Sequence, residues 1–195
     1  EKSIIRPYVM AEAYNFLHTI MSEFKEGWII WGNHDIDAKS SDQVMTDSCL
    51  GLFLPPNLKY MHQQQIELEG KVLGFNNWQP DIDLSWVKGE LDMLFTHARI
   101  CYQEGSDLYQ SQYLDESKFK IAFCGDIHRP GQLGKYVSIG IPQRCKMSDG
   151  EKSTGVLIDL ADGSWKWVDL NPNDNLMKFQ YVTVPEQEGW NETFK

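Results

Sequence analysis

The chain has 195 residues, 42% of them hydrophobic, which is enough to bury the core of one domain. Its seven tryptophans and nine phenylalanines argue against a disordered chain, and no apolar stretch is long enough to span a membrane. The formal net charge of −10 argues against a generic basic nucleic-acid-binding protein, although bound divalent cations would change the local field. The four cysteines show neither close pairing nor zinc-type spacing, which predicts a reduced, intracellular protein.

Apolar residues at helical spacing predict a helix over residues 7–24, and Gly27 ends it. A short apolar run then predicts a buried strand at 28–31. A further short helix is predicted at 43–53, and further strands at 58–61, 65–69, 71–75, 91–95, 119–124, 136–139, 156–160, 165–170 and 179–184. Turn residues at 69–70 and 161–164 predict two hairpins. The mixture of strands and helices predicts an α/β fold.

Three of these strands run directly into polar residues. The strand at 28–31 is followed by Gly-Asn-His-Asp at 32–35. The strand at 91–95 is followed by Thr-His at 96–97, and the strand at 119–124 by Gly-Asp-Ile-His at 125–128. Polar groups at the end of a buried strand need partners, and ligands in α/β sheets gather at the carboxyl ends of strands. A single histidine in such a place is more often structural. Three histidines at matching positions predict one shared metal site.

The candidate metal ligands are Asn33, His97, Asp126 and His128. Amide oxygen, imidazole and carboxylate together suit manganese, iron or zinc. His34 follows a ligand directly, so in an extended turn it points the other way and is free to act on the leaving oxygen. Asp35 would orient it. The alternative is that His34 only forms hydrogen bonds within the turn.

The segment 129–146 reverses the charge of this acidic chain, since it contains basic residues and no acidic one. Its basic residues are Arg129, Lys135, Arg144 and Lys146. Because the segment begins beside His128, it predicts a surface that holds the phosphate backbone of DNA. An ordinary solvated basic face explains the pattern equally well.

The segments 32–35, 96–97 and 125–128 resemble the third, fourth and fifth motifs of the calcineurin-like metallophosphoesterases. Within that superfamily, the chain is most similar to the exonucleases of the SbcD type, from bacteria or phages, that act in double-strand-break repair. The helix before Gly32, the hairpin that leads to 77–78, and the Ser-Ile-Gly-Ile-Pro segment at 138–142 carry this second resemblance. It covers roughly residues 5–170.

The resemblance implies two packed mixed β-sheets flanked by helices, in a four-layer sandwich. Residues 1–170 would form the nuclease domain, and 171–195 a linker and the start of a C-terminal extension. Asn33, His97 and Asp126 would bind one metal ion, His128 would bind a second, and His34 would be the catalytic imidazole. Manganese is the first expectation for both ions, with magnesium, iron and zinc as alternatives. The implied partners are DNA and a coiled-coil ATPase subunit of the SbcC type, with a homodimer as an alternative. The implied location is the cytoplasm of a bacterial or phage-infected cell.

Two departures from the family pattern affect these expectations. Asp126 stands where the family usually has histidine, which shifts the expected metal towards manganese or magnesium. The first two motifs, Asp-x-His and Gly-Asp-x-x-Asp, are absent, so we expect them upstream of Glu1 and expect residue 1 not to be the natural start. The leading prediction is a metal-dependent phosphodiesterase that cleaves DNA as an exonuclease or endonuclease. The alternatives are a phosphatase or nucleotide phosphodiesterase of the same superfamily, and a degenerate, non-catalytic module.

Overall fold

The computed structural model describes residues 7–33, 35, 54–100, 112, 114–142 and 153–170. The described residues contain one α-helix, α1 (Pro7–Ser22), and a single 3-10 turn at Glu116–Lys118. The strands are β1 (Gly27–Ile29), β2 (Leu58–Tyr60), β3 (Gln64–Leu68), β4 (Lys71–Asn76), β5 (Leu91–Thr96), β6 (Phe119–Cys124), β7 (Gly131–Leu133), β8 (Tyr136–Ser138), β9 (Thr154–Ile158) and β10 (Trp165–Asp169). No described helix combines the length and the apolar character that crossing a membrane requires.

A six-stranded mixed sheet forms the centre of the fold, with strand order β3-β4-β5-β6-β8-β7. Strands β4, β5, β6 and β8 are parallel, and the two outer strands are antiparallel to their neighbours. Parallel strands bring their carboxyl ends to the same edge of a sheet. In this sheet Asn76 is level with Thr96, and Thr96 is level with Cys124. The polar segments that follow β5 and β6 therefore leave the sheet side by side.

One face of the central sheet is covered by two smaller sheets. Rings from three neighbouring strands stack along this face, with centroids 5.3 Å apart from Phe75 to Phe95 and 5.4 Å apart from Phe95 to Phe123. Trp165 of the antiparallel β9–β10 pair meets Phe123 edge to face at 5.8 Å. Trp28 of the parallel β1–β2 pair lies 6.0 Å from Phe75. These aromatic contacts fix both small sheets on the central sheet.

The other face of the central sheet is buried by irregular segments of the chain. Its core residues Leu91, Leu94 and Phe119 are fully buried. Leu84 and Leu114, from the segments that precede β5 and β6, belong to the same apolar cluster. Burial of such side chains stabilises the sheet by about 1.5–3 kcal/mol for each residue. The sheet that positions the polar segments is thus packed on both faces.

The prediction of an α/β fold is confirmed, with a mixed six-stranded sheet and few helices among the described residues. Both predicted hairpins are present, as β3–β4 and β9–β10. The helix ends two residues earlier than predicted, where Asn57 Nδ2 donates to the carbonyl oxygens of Met21 and Phe24. The predicted helix at 43–53 and strand at 179–184 lie outside the described residues.

Candidate metal centre

His97 is at the centre of the polar cluster that forms where β5 and β6 end. Its Nε2 atom lies 3.2 Å from Oδ1 of Asn33 and 3.6 Å from Oδ1 of Asp126. Asn33 follows β1 and Asp126 follows β6, so three separate segments supply the three side chains. The structure therefore brings together three of the four ligands that the sequence predicts.

The spacing of these donor atoms suits a single divalent cation. Metal bonds to nitrogen and oxygen are about 2.0–2.2 Å long, so donors on one ion lie about 3.0–3.5 Å apart. The two measured distances from His97 are close to that spacing. An amide oxygen, an imidazole and a carboxylate are also a chemically suitable set for manganese. The same 3.2 Å contact equally permits a hydrogen bond between an Nε2–H group and the Asn33 oxygen.

Two glycines allow the His97 ring to occupy this place. A Cβ atom added at Gly125 would lie 2.7 Å from Nδ1 of His97, and one added at Gly32 would lie 3.0 Å from its Cε1. Both distances are shorter than ordinary van der Waals contact. The glycines that open the segments at 32–35 and 125–128 are thus required by His97, the histidine of the segment at 96–97.

Two neighbouring side chains, the His97 imidazole and the Arg99 guanidinium, stabilise the ionised form of Asp126. The His97 imidazole and the Arg99 guanidinium together hold the pKa of the Asp126 carboxyl well below its usual range. Nε of Arg99 donates to Oδ2 at 2.6 Å, while His97 faces Oδ1. The backbone of Asp126 has a φ of 72°, a left-handed conformation that side chains rarely adopt. The structure therefore imposes an unusual backbone on this carboxylate, as is common at functional sites.

The turn that carries Asn33 is fixed from two sides. Oδ2 of Asp35 accepts a hydrogen bond from the backbone N–H of Gly32 at 2.9 Å, which closes the turn. The N–H of Trp31 donates to Oδ1 of Asn77 at 2.8 Å, and Asn77 is fully buried. Nδ2 of Asn77 in turn donates to the Tyr60 hydroxyl at 2.6 Å. Asn77 thus joins the end of β4 to the turn that follows β1.

Two buried polar atoms at this edge have no hydrogen-bond partner among the described residues, Oδ1 of Asn76 and Oγ1 of Thr96. The two residues are paired at the ends of β4 and β5. Unsatisfied buried polar atoms are uncommon and cost about 1–3 kcal/mol each. The edge that carries the candidate site is therefore not optimised for stability alone.

Among the described residues, His128 is the predicted ligand that does not gather with the other three. Among the described residues, no three His, Cys, Asp or Glu side chains form a group able to hold a metal ion, so His128 does not complete such a group with His97 and Asp126. The loop that carries His128 is fixed by Ser138, whose hydroxyl donates to the carbonyl oxygens of Ile127 and Arg129. His34 lies outside the described residues.

Of the predicted DNA-binding residues, Lys135 lies away from the candidate site. Nζ of Lys135 donates to the carbonyl oxygens of Glu116 at 2.7 Å and Phe119 at 2.9 Å. Phe119 begins β6 and Asp126 follows its end, so this ammonium group lies away from the candidate site and has a structural role. Arg129 is exposed beside His128, whereas Arg144 and Lys146 lie outside the described residues.

Sequence reasoning missed two residues that the structure places at the site. Asn77 had a signal, because it directly follows strand β4, just as the other polar segments follow their strands. Arg99 stands two residues after His97 and contacts the same carboxylate, but only the position of Asp126 reveals this.

Comparison with protein-family models, curated proteins and solved structures found no match for this chain.

Proposed function

We propose that the chain is a metal-dependent phosphodiesterase that acts on DNA. The observation that supports this proposal is the convergence of Asn33, His97 and Asp126 at the ends of three segments, with spacing suitable for one divalent cation. The sequence resemblance supplies the reaction type and the substrate class. The four-layer sandwich, the manganese preference and the SbcC-type ATPase partner belong to the same proposal.

In this proposal the chain holds a cation through Oδ1 of Asn33, Nε2 of His97 and the Asp126 carboxylate. When bound, the cation would supply a Lewis acid that polarises a phosphoryl oxygen. The low pKa of Asp126 keeps that ligand ionised at neutral pH, as metal binding requires. His34, the next residue after Asn33 in the sequence, would protonate the leaving oxygen.

One observation favours a second candidate, a DNA-binding module without catalysis. The Arg99 guanidinium already neutralises Asp126, with its Nε 2.6 Å from Oδ2, so this carboxylate has a cationic partner without any metal ion. A chain of this second kind would bind DNA equally well with and without divalent cations. A phosphodiesterase would cleave it only when they are present.

The proposed function is tested by cleavage of end-labelled duplex DNA by the full-length protein, with Mn²⁺ or with a chelator. We expect cleavage that requires Mn²⁺ and that falls by at least about 10²-fold in His97→Ala, since loss of a ligand removes the cation that the reaction needs. His18→Ala is the matched control, because His18 lies in α1, where its ring contacts that of Tyr14. We expect its cleavage rate to equal that of the wild type.

Three results would decide against a DNA phosphodiesterase that works through this cluster. Binding of duplex DNA without cleavage in Mn²⁺, Mg²⁺, Fe²⁺ and Zn²⁺ would favour the non-catalytic module. Equal cleavage by His97→Ala and His18→Ala would show that the activity does not come from this cluster. Cleavage of mononucleotide esters but not of duplex DNA would favour the nucleotide phosphodiesterase or phosphatase.

A further inference from the structure

The candidate ligands Asn33 and His97 come from two different sheets. Asn33 follows β1 of the small β1–β2 sheet, whereas His97 follows β5 of the central sheet. Their contact, 3.2 Å from Oδ1 of Asn33 to Nε2 of His97, therefore depends on how the two sheets are held together beside the site. Metal ligands must be fixed to within about 0.5 Å, so a residue that joins the two sheets at this place can set the metal affinity.

Asn77, which directly follows β4, makes that connection through three polar groups. Its Oδ1 accepts from the backbone N–H of Trp31 at 2.8 Å, and its Nδ2 donates to the Tyr60 hydroxyl at 2.6 Å. Its backbone N–H donates to Nδ1 of His62 at 3.4 Å. Trp31 follows β1, whereas Tyr60 ends β2 and His62 follows it. One asparagine thus contacts both chain segments of the small sheet.

Trp31 is fixed at both polar groups of its backbone. Asn77 holds its N–H, and its carbonyl oxygen accepts from the N–H of Trp78 at 3.0 Å. Its ring stacks on that of Tyr60, with centroids 5.1 Å apart, and the residue is buried. Asn33 stands two residues further along the chain. The turn that carries this ligand therefore starts from a residue with little freedom to move.

Asn77 is also in register with the strand that carries His97. The preceding residue, Asn76, is paired with Thr96 in the parallel strands β4 and β5, so Asn77 and His97 are the next residues on neighbouring strands. Asn77 is fully buried, where a side-chain amide is tolerated only when it is hydrogen-bonded. Its contact with Trp31 therefore sets the position of the turn relative to the strand end that holds His97.

We propose that Asn77 is a positioning residue for the metal site, which holds Asn33 beside His97 through its hydrogen bond to Trp31. This inference rests on the proposed function, since it concerns the metal affinity of that same site. Asn77 supplies no ligand itself, so its effect reaches the site only through the position of the turn.

The first test is a calorimetric titration of the full-length protein with Mn²⁺. Loss of a residue that orients metal ligands typically lowers metal affinity by about 10- to 100-fold, and we expect a loss in that range for Asn77→Ala. Leu84→Ala is the matched control, because Leu84 is buried in the apolar cluster on the other face of the central sheet. We expect Leu84→Ala to be less stable to urea and yet to bind Mn²⁺ as the wild type does.

Hydrogen exchange at the backbone N–H of Trp31 tests the contact itself. In Asn77→Ala we expect the exchange rate of this group to rise by more than the rates in β5 and β6, which report overall stability. Asn77→Asp keeps an acceptor for this N–H, so we expect slow exchange and an Mn²⁺ affinity at least equal to that of the wild type. Equal losses of affinity in Asn77→Asp and Asn77→Ala would overturn the inference.

Tyr60→Phe provides a second variant if circular dichroism shows that Asn77→Ala does not fold. It keeps the ring that stacks on Trp31 and removes only the hydroxyl that accepts from Nδ2 of Asn77. We expect a smaller loss of Mn²⁺ affinity in the same direction. Asn77→Ala decides where it folds, and otherwise wild-type affinity in Tyr60→Phe would overturn the inference.

The outcomes separate this inference from the proposed function. If the wild type binds Mn²⁺ and cleaves DNA while Asn77→Ala binds Mn²⁺ as Leu84→Ala does, the inference alone is wrong. If Asn77→Ala binds Mn²⁺ more weakly than the wild type but the wild type does not cleave DNA, the positioning role stands and the phosphodiesterase is wrong. If the wild type binds no Mn²⁺, both are overturned.

Discussion

Replacement of His34 by alanine is expected to lower the single-turnover cleavage of duplex DNA by about 10² to 10⁴-fold, the usual contribution of a general acid or base. His34 follows the candidate ligand Asn33 directly in the sequence. In the proposed mechanism it protonates the leaving oxygen and binds no metal. The measurement is a rapid-quench cleavage assay with the full-length protein in excess over DNA and with Mn²⁺.

The same preparations show whether His34 acts on chemistry or on binding. We expect His34→Ala to keep the wild-type Mn²⁺ content and DNA affinity, whereas His97→Ala loses metal. His128→Ala is expected to lose metal as well if His128 binds a second ion, as the resemblance implies. Normal cleavage by His34→Ala would refute the catalytic assignment. A loss of metal equal to that of His97→Ala would make His34 a ligand instead.

Replacement of Gly125 by alanine is expected to destabilise the protein by about 1–3 kcal/mol, the usual cost of inserting a methyl group into a well-packed place. The three atoms nearest to the added Cβ all belong to the His97 ring, and the closest is Nδ1 at 2.7 Å. Either the backbone at residue 125 or the His97 ring must move. In both cases the arrangement of the ring and the neighbouring ligands changes. We expect lower Mn²⁺ affinity together with lower stability, measured by titration calorimetry and urea unfolding.

A double-mutant cycle with His97→Ala tests the origin of that cost. In the His97→Ala background the ring is gone, so we expect Gly125→Ala to cost less than about 0.5 kcal/mol. The difference between the two backgrounds measures the clash directly. An equal cost in both backgrounds would show that the methyl group collides with something other than His97. The described arrangement of the site would then be wrong.

The sequence predicts the strands and the edge at which the polar residues gather, because both follow from local patterns. The apolar runs that become β5 and β6 end at Thr96 and Cys124, and parallel strands place their carboxyl ends together. The proximity of His97 and Asp126 follows from that rule. The position of Asn33 does not, because Asn33 follows β1, which belongs to a separate two-stranded sheet. The alternation of apolar and turn residues likewise locates the hairpins.

The rest of the site depends on contacts between distant segments, which no local pattern reveals. The contact of Arg99 with Asp126 depends on the position of a residue 27 positions further along the chain. The backbone N–H of Arg99 donates to Oε1 of Gln112, which is 13 residues away. The left-handed backbone of Asp126 has no signal in a Gly-Asp-Ile-His segment. The sequence predicts that Lys135 is part of a basic surface. In the structure its ammonium group donates hydrogen bonds to two backbone carbonyl oxygens near the start of β6.

The central claim is that Asn33, His97 and Asp126 bind a divalent cation, and a calorimetric titration with Mn²⁺ tests it most directly. We predict saturable binding by the wild type that is lost in His97→Ala and strongly weakened in Asn33→Ala. His18→Ala should bind as the wild type does, since its histidine lies in α1. Identical titration curves for the wild type, His97→Ala and Asn33→Ala would contradict the account.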